Sequence, residues 1–207
     1  MIDRIKWLGH ASFLIEDKKI IYFDPWKLKK GLPLADIVLI THSHYDHCSN
    51  EDVNKIKKKQ TIVITDKSSA QKLSGVNIKI VRPEEKINID DIVIEVFAAY
   101  NINKPFHPQS LGGLGFVVEI SGKRIYHCGD TDVIPEMEKI SCDIALLAVS
   151  GTYVMTPSEA VKAVKRIKPK IVIPMHYGDI VGTEADAEEF VRLCKDIPVE
   201  TMILQRL

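Results

Sequence analysis

Four side chains able to bind a metal stand within six residues, in the run His42-Ser43-His44-Tyr45-Asp46-His47. The whole chain holds seven histidines, and three of them are here, so the clustering is not compositional. Neutral imidazole nitrogens beside a carboxylate suit zinc, iron or manganese. The run follows Asp36-Ile37-Val38-Leu39-Ile40-Thr41, which reads as a buried strand ending at a loop. A strand end is a rigid mount for ligands, and loops there commonly carry function.

The spacing H-x-H-x-D-H resembles the signature of the metallo-β-lactamase superfamily of binuclear metal hydrolases, and the resemblance covers nearly the whole chain. That family places an Asp in a Gly-Asp-Thr turn, and Gly129-Asp130-Thr131 follows the strand-like Lys123–His127 here. It places a last His after a late buried strand, and Ile171-Val172-Ile173-Pro174-Met175-His176 fits. The opening Trp7-Leu8-Gly9-His10-Ala11-Ser12-Phe13 and the pair Asp24-Pro25 look most like small metal-dependent hydrolases of this superfamily. Those are related to the ascorbate-phosphate lactonase and N-acyl phosphatidylethanolamine phospholipase D groups. The resemblance implies that His42, His44 and a third His hold one ion. Asp46, His47 and His176 would hold a second, with Asp130 bridging both. It implies two divalent ions, most simply zinc, with manganese or iron as alternatives. Two such ions about 3.5–4 Å apart can share a hydroxide, lower its pKa and clamp the attacking and leaving oxygens. The expected reaction is hydrolysis of an ester, lactone, amide or phosphodiester of a small molecule.

The third His of the first ion is where this chain departs from the family pattern. Many members carry it at the position of Asn101, in Ala98-Ala99-Tyr100-Asn101-Ile102-Asn103-Lys104-Pro105-Phe106-His107. Three readings compete. His107 folds back as the ligand; Asn101 contributes an oxygen or holds a water; or the first site is incomplete. Three protein ligands are the usual minimum for a catalytic zinc, so the difference matters.

Other residues stand near enough in the pattern to assist. Asp24 closes a strand and could fix the tautomer of a ligand His. His10 could orient a site carboxylate or the substrate, or be a hydrogen-bonded structural His. Tyr153 follows another strand end, where it could bind an oxyanion or simply pack. His127, three residues before Asp130 and within a strand, reads as core. Cys48 reads as a small buried residue.

The elements that must position these residues are mostly strands. Apolar, β-branched runs predict strands at Arg4–Leu8, Ser12–Glu16, Ile20–Phe23, Ile37–Ile40, Thr61–Thr65 and Ile78–Val81. Others fall at Ile92–Ala98, Gly115–Ile120, Arg124–His127, Ile144–Ala148, Ile171–Pro174 and Thr201–Leu204. Helices are expected at Asn50–Lys59, Ser68–Leu73, Pro135–Lys139, Pro157–Ile167 and Glu184–Lys195. Thr156-Pro157-Ser158-Glu159 is a capping box with Pro at N1. So many strands exceed one comfortable open sheet. The expected class is α/β: an αβ/βα sandwich of two packed mixed sheets with outer helices, the metallo-β-lactamase fold, as a single domain over residues 1–207. The halves are expected to break near Ala98–Gly115.

Composition narrows the partners. With 28 basic and 28 acidic residues the chain is neutral overall, which argues against a dedicated nucleic-acid surface. No stretch approaches the roughly 18 apolar residues of a membrane span, and the first residues lack a secretory leader's apolar run. The expectation is a cytoplasmic protein acting on a small-molecule substrate. Four cysteines, Cys48, Cys128, Cys142 and Cys194, show no paired spacing and suggest no disulfide framework. No GxSxG motif offers a serine nucleophile. Two other classes remain: a di-iron redox protein, and a non-catalytic metal or ligand sensor with a degenerate site. A visible absorption band would mark the first, and metal content indifferent to loss of His107 the second.

Overall fold

The computed structural model describes residues 1–207. Its thirteen strands form two mixed sheets, each laid down in chain order. The first holds β1 (Ile5–Gly9), β2 (Ser12–Glu16), β3 (Ile20–Phe23), β4 (Ile37–Leu39), β5 (Ile62–Thr65) and β6 (Asn77–Ile80). The second holds β7 (Lys86–Ile89), β8 (Ile92–Ala98), β9 (Leu114–Ile120), β10 (Lys123–His127), β11 (Ile144–Ala148), β12 (Ile171–Met175) and β13 (Glu200–Thr201). Each sheet starts as an antiparallel meander and ends in parallel strands, from β3 in the first and from β10 in the second. This shared plan makes the second sheet a structural counterpart of the first. The break lies between β6 and β7, however, not at Ala98–Gly115. The hairpin β7–β8 opens the second sheet and pushes the boundary upstream. β7 escaped the sequence reading because Lys86-Ile87-Asn88-Ile89 is a half-polar edge strand, with Ile87 alone buried. Its signal was the alternation followed by a tight Asp90-Asp91 turn, where Asp90 takes φ 54°.

Strand alternation builds the layers. In β4, Ile37 and Leu39 join the large core between the sheets, whereas Val38 joins a smaller cluster on the far side of the first sheet. Phe13, Phe23, Phe116 and Val118 fill the same large core from both sheets. Fully burying each such side chain contributes about 1.5–3 kcal/mol. The smaller cluster is covered by α1 (Asn50–Ile56) through Val53 and Ile56. The outer face of the second sheet is covered by α3 (Pro157–Ile167) and α4 (Glu184–Leu193), which present Ala160, Val164 and Phe190. The capping box at Thr156 forms, and α3 has the expected bounds. α1 stops at Ile56 because Lys57 turns to extended backbone. α2 is a single turn, Lys67–Ala70, capped by Asp66, and Pro135–Lys139 is a 3-10 helix. No helix is long and apolar enough to cross a membrane.

Candidate metal centre

Most of the candidate residues lie just past the carboxyl ends of strands. His10 follows β1, Asp24 follows β3, the His42–His47 run follows β4, and Asn101 follows β8. Asp130 follows β10, Ser150 follows β11 and His176 follows β12. Seven strand ends from two sheets therefore meet at one edge. Such an edge is where ligand sites in α/β proteins usually form. His10, Asp24 and His176 adopt φ of 51°, 41° and 64°, the left-handed region that non-glycine residues avoid. Each carries a cost of about 1–3 kcal/mol that the surrounding packing must offset, and such residues cluster at functional sites. The turn lets the side chain leave the strand toward the shared edge.

Three groups of ligand-capable atoms form there, each drawn within 4.8 Å: His42, His44 and His107; His42, His47 and Asp130; and His10, Asp46, His47 and His176. His107 thus folds back onto His42 and His44 despite its six-residue offset from Asn101. The reason is local. Asn101 N–H donates to His107 O at 2.7 Å, and His107 N–H donates to Asn101 Oδ1 at 3.0 Å, closing the loop on itself. Asp132 then ties the loop down by accepting from Ile102 N–H at 2.9 Å and from the Lys104 ammonium. Asn101 is buried and turned away from the cluster's centre.

The hydrogen bonds fix which ring nitrogens face inward. A backbone N–H can only donate and a backbone carbonyl can only accept. Asn101 Oδ1 faces His107 N–H, and its Nδ2 donates to Tyr153 O at 3.0 Å. His107 Nδ1, 3.1 Å from that Oδ1, must therefore carry the proton, leaving a lone pair on Nε2. Thr41 Oγ1 donates to Asp24 Oδ2 at 2.7 Å, so it accepts from His42 Nδ1 at 3.0 Å, and His42 Nε2 is bare. His47 Nδ1 donates to Asp24 Oδ2 at 2.7 Å, and its Nε2 is buried without a partner. His176 places Nδ1 on Ser150 Oγ at 2.9 Å and Nε2 on Asp130 Oδ2 at 3.1 Å. Asp24 thus orients two histidines, His47 directly and His42 through Thr41. This carboxylate-to-imidazole support is what metal-binding histidines need.

The donor set fits divalent metal. His42 Nε2 and His107 Nε2 lie 3.0 and 3.1 Å from His44 Nδ1, and His44 can supply at most one proton to two bare nitrogens. Nitrogens at about 2.0–2.1 Å from a tetrahedral zinc sit roughly 3.3 Å apart, close to these spacings. His47 Nε2 and Asp130 Oδ1 are both buried without hydrogen-bond partners and face each other at 3.3 Å. Asp130 Oδ2 also lies 3.3 Å from His107 Nε2 and 3.9 Å from His42 Nε2, so this carboxylate touches both halves of the cluster.

Charge is distributed to match. Burial pushes the imidazoles of His42, His44, His107 and His10 below their ordinary value, keeping them neutral as ligands require. Burial opposes ionisation of Asp130, yet His176 and His47 outweigh it and hold its carboxyl well below the usual range. Burial opposes charge on His47 too, but Asp130 and Asp24 raise its proton affinity well above normal. A divalent ion would replace that proton. His10 Nε2 donates to Asp46 Oδ2 at 3.0 Å, and burial leaves its Nδ1 without a partner. His127 is not at the site. It stacks on Phe23 at 4.9 Å between centroids and meets Ala11 O at 2.8 Å, as a core residue. Cys48 packs against Ser69, and burial pushes its thiol up to about 11, so it is an inert packing group.

A domain model described as Beta-lactamase superfamily domain matches residues 4–176. The UPF0173 metal-dependent hydrolase of Nanoarchaeum equitans is 35% identical, over 98% of this chain and 97% of its own length. The chain belongs to the UPF0173 metal-dependent hydrolases of the beta-lactamase superfamily. The corresponding hydrolase of Pyrococcus abyssi is 34% identical over 93% of this chain and 92% of its own length. A crystal structure from Parabacteroides distasonis, assigned as a metal-dependent hydrolase, superposes with a TM-score of 0.87 at 32% identity. It covers 97% of this chain and 93% of that one. The two packed mixed sheets with flanking helices are therefore the metallo-β-lactamase fold. The redox and sensor alternatives are not favoured by these relatives.

The cluster opens to solvent through a cleft of about 260 Å³ lined by His44, Tyr45, Asp46, Phe106, His107, Asp130, Tyr153, His176 and Ile180. A larger cavity of about 470 Å³ lies elsewhere, against the outer face of β8. Two of its carboxylates are already engaged, Glu95 by Arg124 and Lys86, and Glu136 by Tyr100. Sequence reasoning missed Thr41, Ser150 and Asp132. Thr41 and Ser150 hold the rings of His42 and His176, and Asp132 holds the loop that carries Asn101 and His107. Only the position of Asp132, two residues past Asp130, gave any signal.

Proposed function

We propose that this UPF0173 hydrolase is a binuclear enzyme, most simply a zinc enzyme, in one domain. His42, His44 and His107 would hold one ion; Asp46, His47 and His176 would hold the other; and Asp130 would reach both. Such ions supply a nucleophile from water at neutral pH and polarise the bond under attack. The observation that carries this reading is the convergence of the His47, His107 and His176 ring nitrogens on buried Asp130 from both sides of the cluster. The protein's own groups do the positioning. Asp24, Thr41 and Asn101 fix the tautomers of His47, His42 and His107, and Ser150 holds the His176 ring through Nδ1. His10 holds Asp46 at one rotamer. Tyr153 lines the cleft, and its hydroxyl would meet charge developing on a substrate oxygen. The substrate is a small molecule with an ester, lactone, amide or phosphodiester bond. The test is hydrolysis of that panel after reconstitution with zinc, manganese or iron. Turnover abolished by Asp130→Asn and by chelation is expected. Turnover that survives both would contradict the proposal.

A further inference from the structure

The mouth of the cleft is apolar and carries no cation. Eight large hydrophobic side chains are exposed on the whole chain, and three of them line this one opening: Tyr45 at 66%, Phe106 at 43% and Ile180 at 38%. They come from three distant loops. Exposed apolar residues scattered singly need no explanation, but a cluster around a reactive site does. Two of the rings at the mouth are held in place. Phe106 meets Tyr153 edge-on, with centroids 4.6 Å apart at 90°, and Tyr45 leans on buried Trp26 at 6.0 Å and 72°. Side chains already ordered lose little freedom when a ligand settles on them.

No Lys or Arg lines the cleft. Cations on the neighbouring segments are committed elsewhere: Lys27 to Asp179 at 3.3 Å, Lys72 to Ser43 O, and Lys104 to Asp132 and to Glu159. The amino end of α3 is closed by its own capping box. Phosphate recognition ordinarily relies on Arg, Lys or an open helix terminus. Beyond the ions themselves, this cleft offers none of them.

We propose that the site takes an uncharged acyl compound, an ester, lactone or amide, whose alkyl or aryl substituent lies on Phe106, Tyr153, Tyr45 and Ile180. This rests on the hydrolase reading above and narrows it, excluding phosphorylated substrates. Water adds to the acyl carbon and its C–O or C–N bond breaks. The leaving alcohol or amine takes one proton of that water, and the acid product keeps the oxygen. No other reactant is needed.

Straight-chain alkyl hydroxamates, from acetohydroxamate to octanohydroxamate, separate the two claims. Their head group binds metal and their tail reports the rim, so binding is read without turnover. Calorimetry on the metal-loaded full chain should show affinity rising about twofold to fourfold per methylene, the range from half to full burial. The Phe106→Ser, Ile180→Ser double variant should flatten that dependence while retaining wild-type metal content, which also reports that it folds. Esters should follow: 4-nitrophenyl octanoate should exceed the acetate in kcat/KM by tenfold or more, and bis(4-nitrophenyl) phosphate should be slower than both. Affinity indifferent to chain length, or a slope the double variant keeps, overturns the inference even if esters are cleaved. A normal slope with no ester, lactone or amide turnover overturns the hydrolase reading, and the acyl class with it.

Discussion

Replacing Asn101 by Ala removes three hydrogen bonds and no side chain aimed at the cluster's centre. Its Oδ1 accepts from His107 N–H at 3.0 Å and Nδ1–H at 3.1 Å, and its Nδ2 donates to Tyr153 O at 3.0 Å. At a net ~1 kcal/mol each, and with buried groups left unpaired, the metal-free protein should lose roughly 2–4 kcal/mol. The sharper effect is on metal. With its orienting acceptor gone, His107 can turn its ring or change tautomer, so Nε2 no longer points at His42 and His44. Loss of a comparable support typically weakens metal binding by about 10–100-fold. Competition with a chromophoric chelator, above the imidazole titration range, would give an affinity for each ion. One ion should weaken by that factor while the other holds. Asn101→Asp keeps the acceptor oxygen for His107 but sets a second oxygen against Tyr153 O, so it should restore part of the lost affinity. His107→Ala should remove the weakened ion altogether. If Asn101→Ala binds both ions with wild-type affinity, Asn101 does not position a ligand and the account of the first site is wrong.

Asp24→Asn should weaken metal binding by a similar factor of about 10–100, because one carboxylate serves both His47 and Thr41; equilibrium dialysis would show it. Gly129→Ala should destabilise by about 2–4 kcal/mol, combining strain at φ +61° with a Cβ that would sit 2.5 Å from Leu114 O, as read by urea unfolding. Chelator-treated protein should be most stable near pH 6.5 and lose stability on both sides. His42, His44, His107 and His10 have lowered values, so their contribution is full above about 6.5 and is lost as pH falls below it. His47 has a raised value, so its contribution is full below about 6.5 and is lost as pH rises through the raised value. Thermal melts across pH, with and without metal, test this; the metal-loaded optimum should lie higher, since ligand imidazoles must be neutral.

Much of the fold was legible because the strands that matter are short apolar runs with abrupt ends. Ile37–Leu39 and Ile171–Met175 each stop where a loop bearing candidate ligands begins, so strand pattern and ligand spacing pointed the same way. β7 was hidden because an edge strand with one buried side chain leaves only a weak alternation. That single omission misplaced the boundary between the sheets. At the site, His42, His44, Asp46 and His47 declare themselves by spacing. His107 could not be chosen over Asn101 from sequence, because the choice depends on a loop closing through an Asn side chain. Thr41 and Ser150 were invisible for a related reason. A hydroxyl that holds a ring nitrogen leaves no spacing rule, only a distance in three dimensions.

The most direct test of two ions held by this cluster is metal content by inductively coupled plasma mass spectrometry. The full chain would be purified without a chelator or a histidine tag and dialysed against zinc. The account predicts two ions per chain in the wild type and one each in His107→Ala and His176→Ala. One ion or none in the reconstituted wild type, or two in His107→Ala, would contradict it.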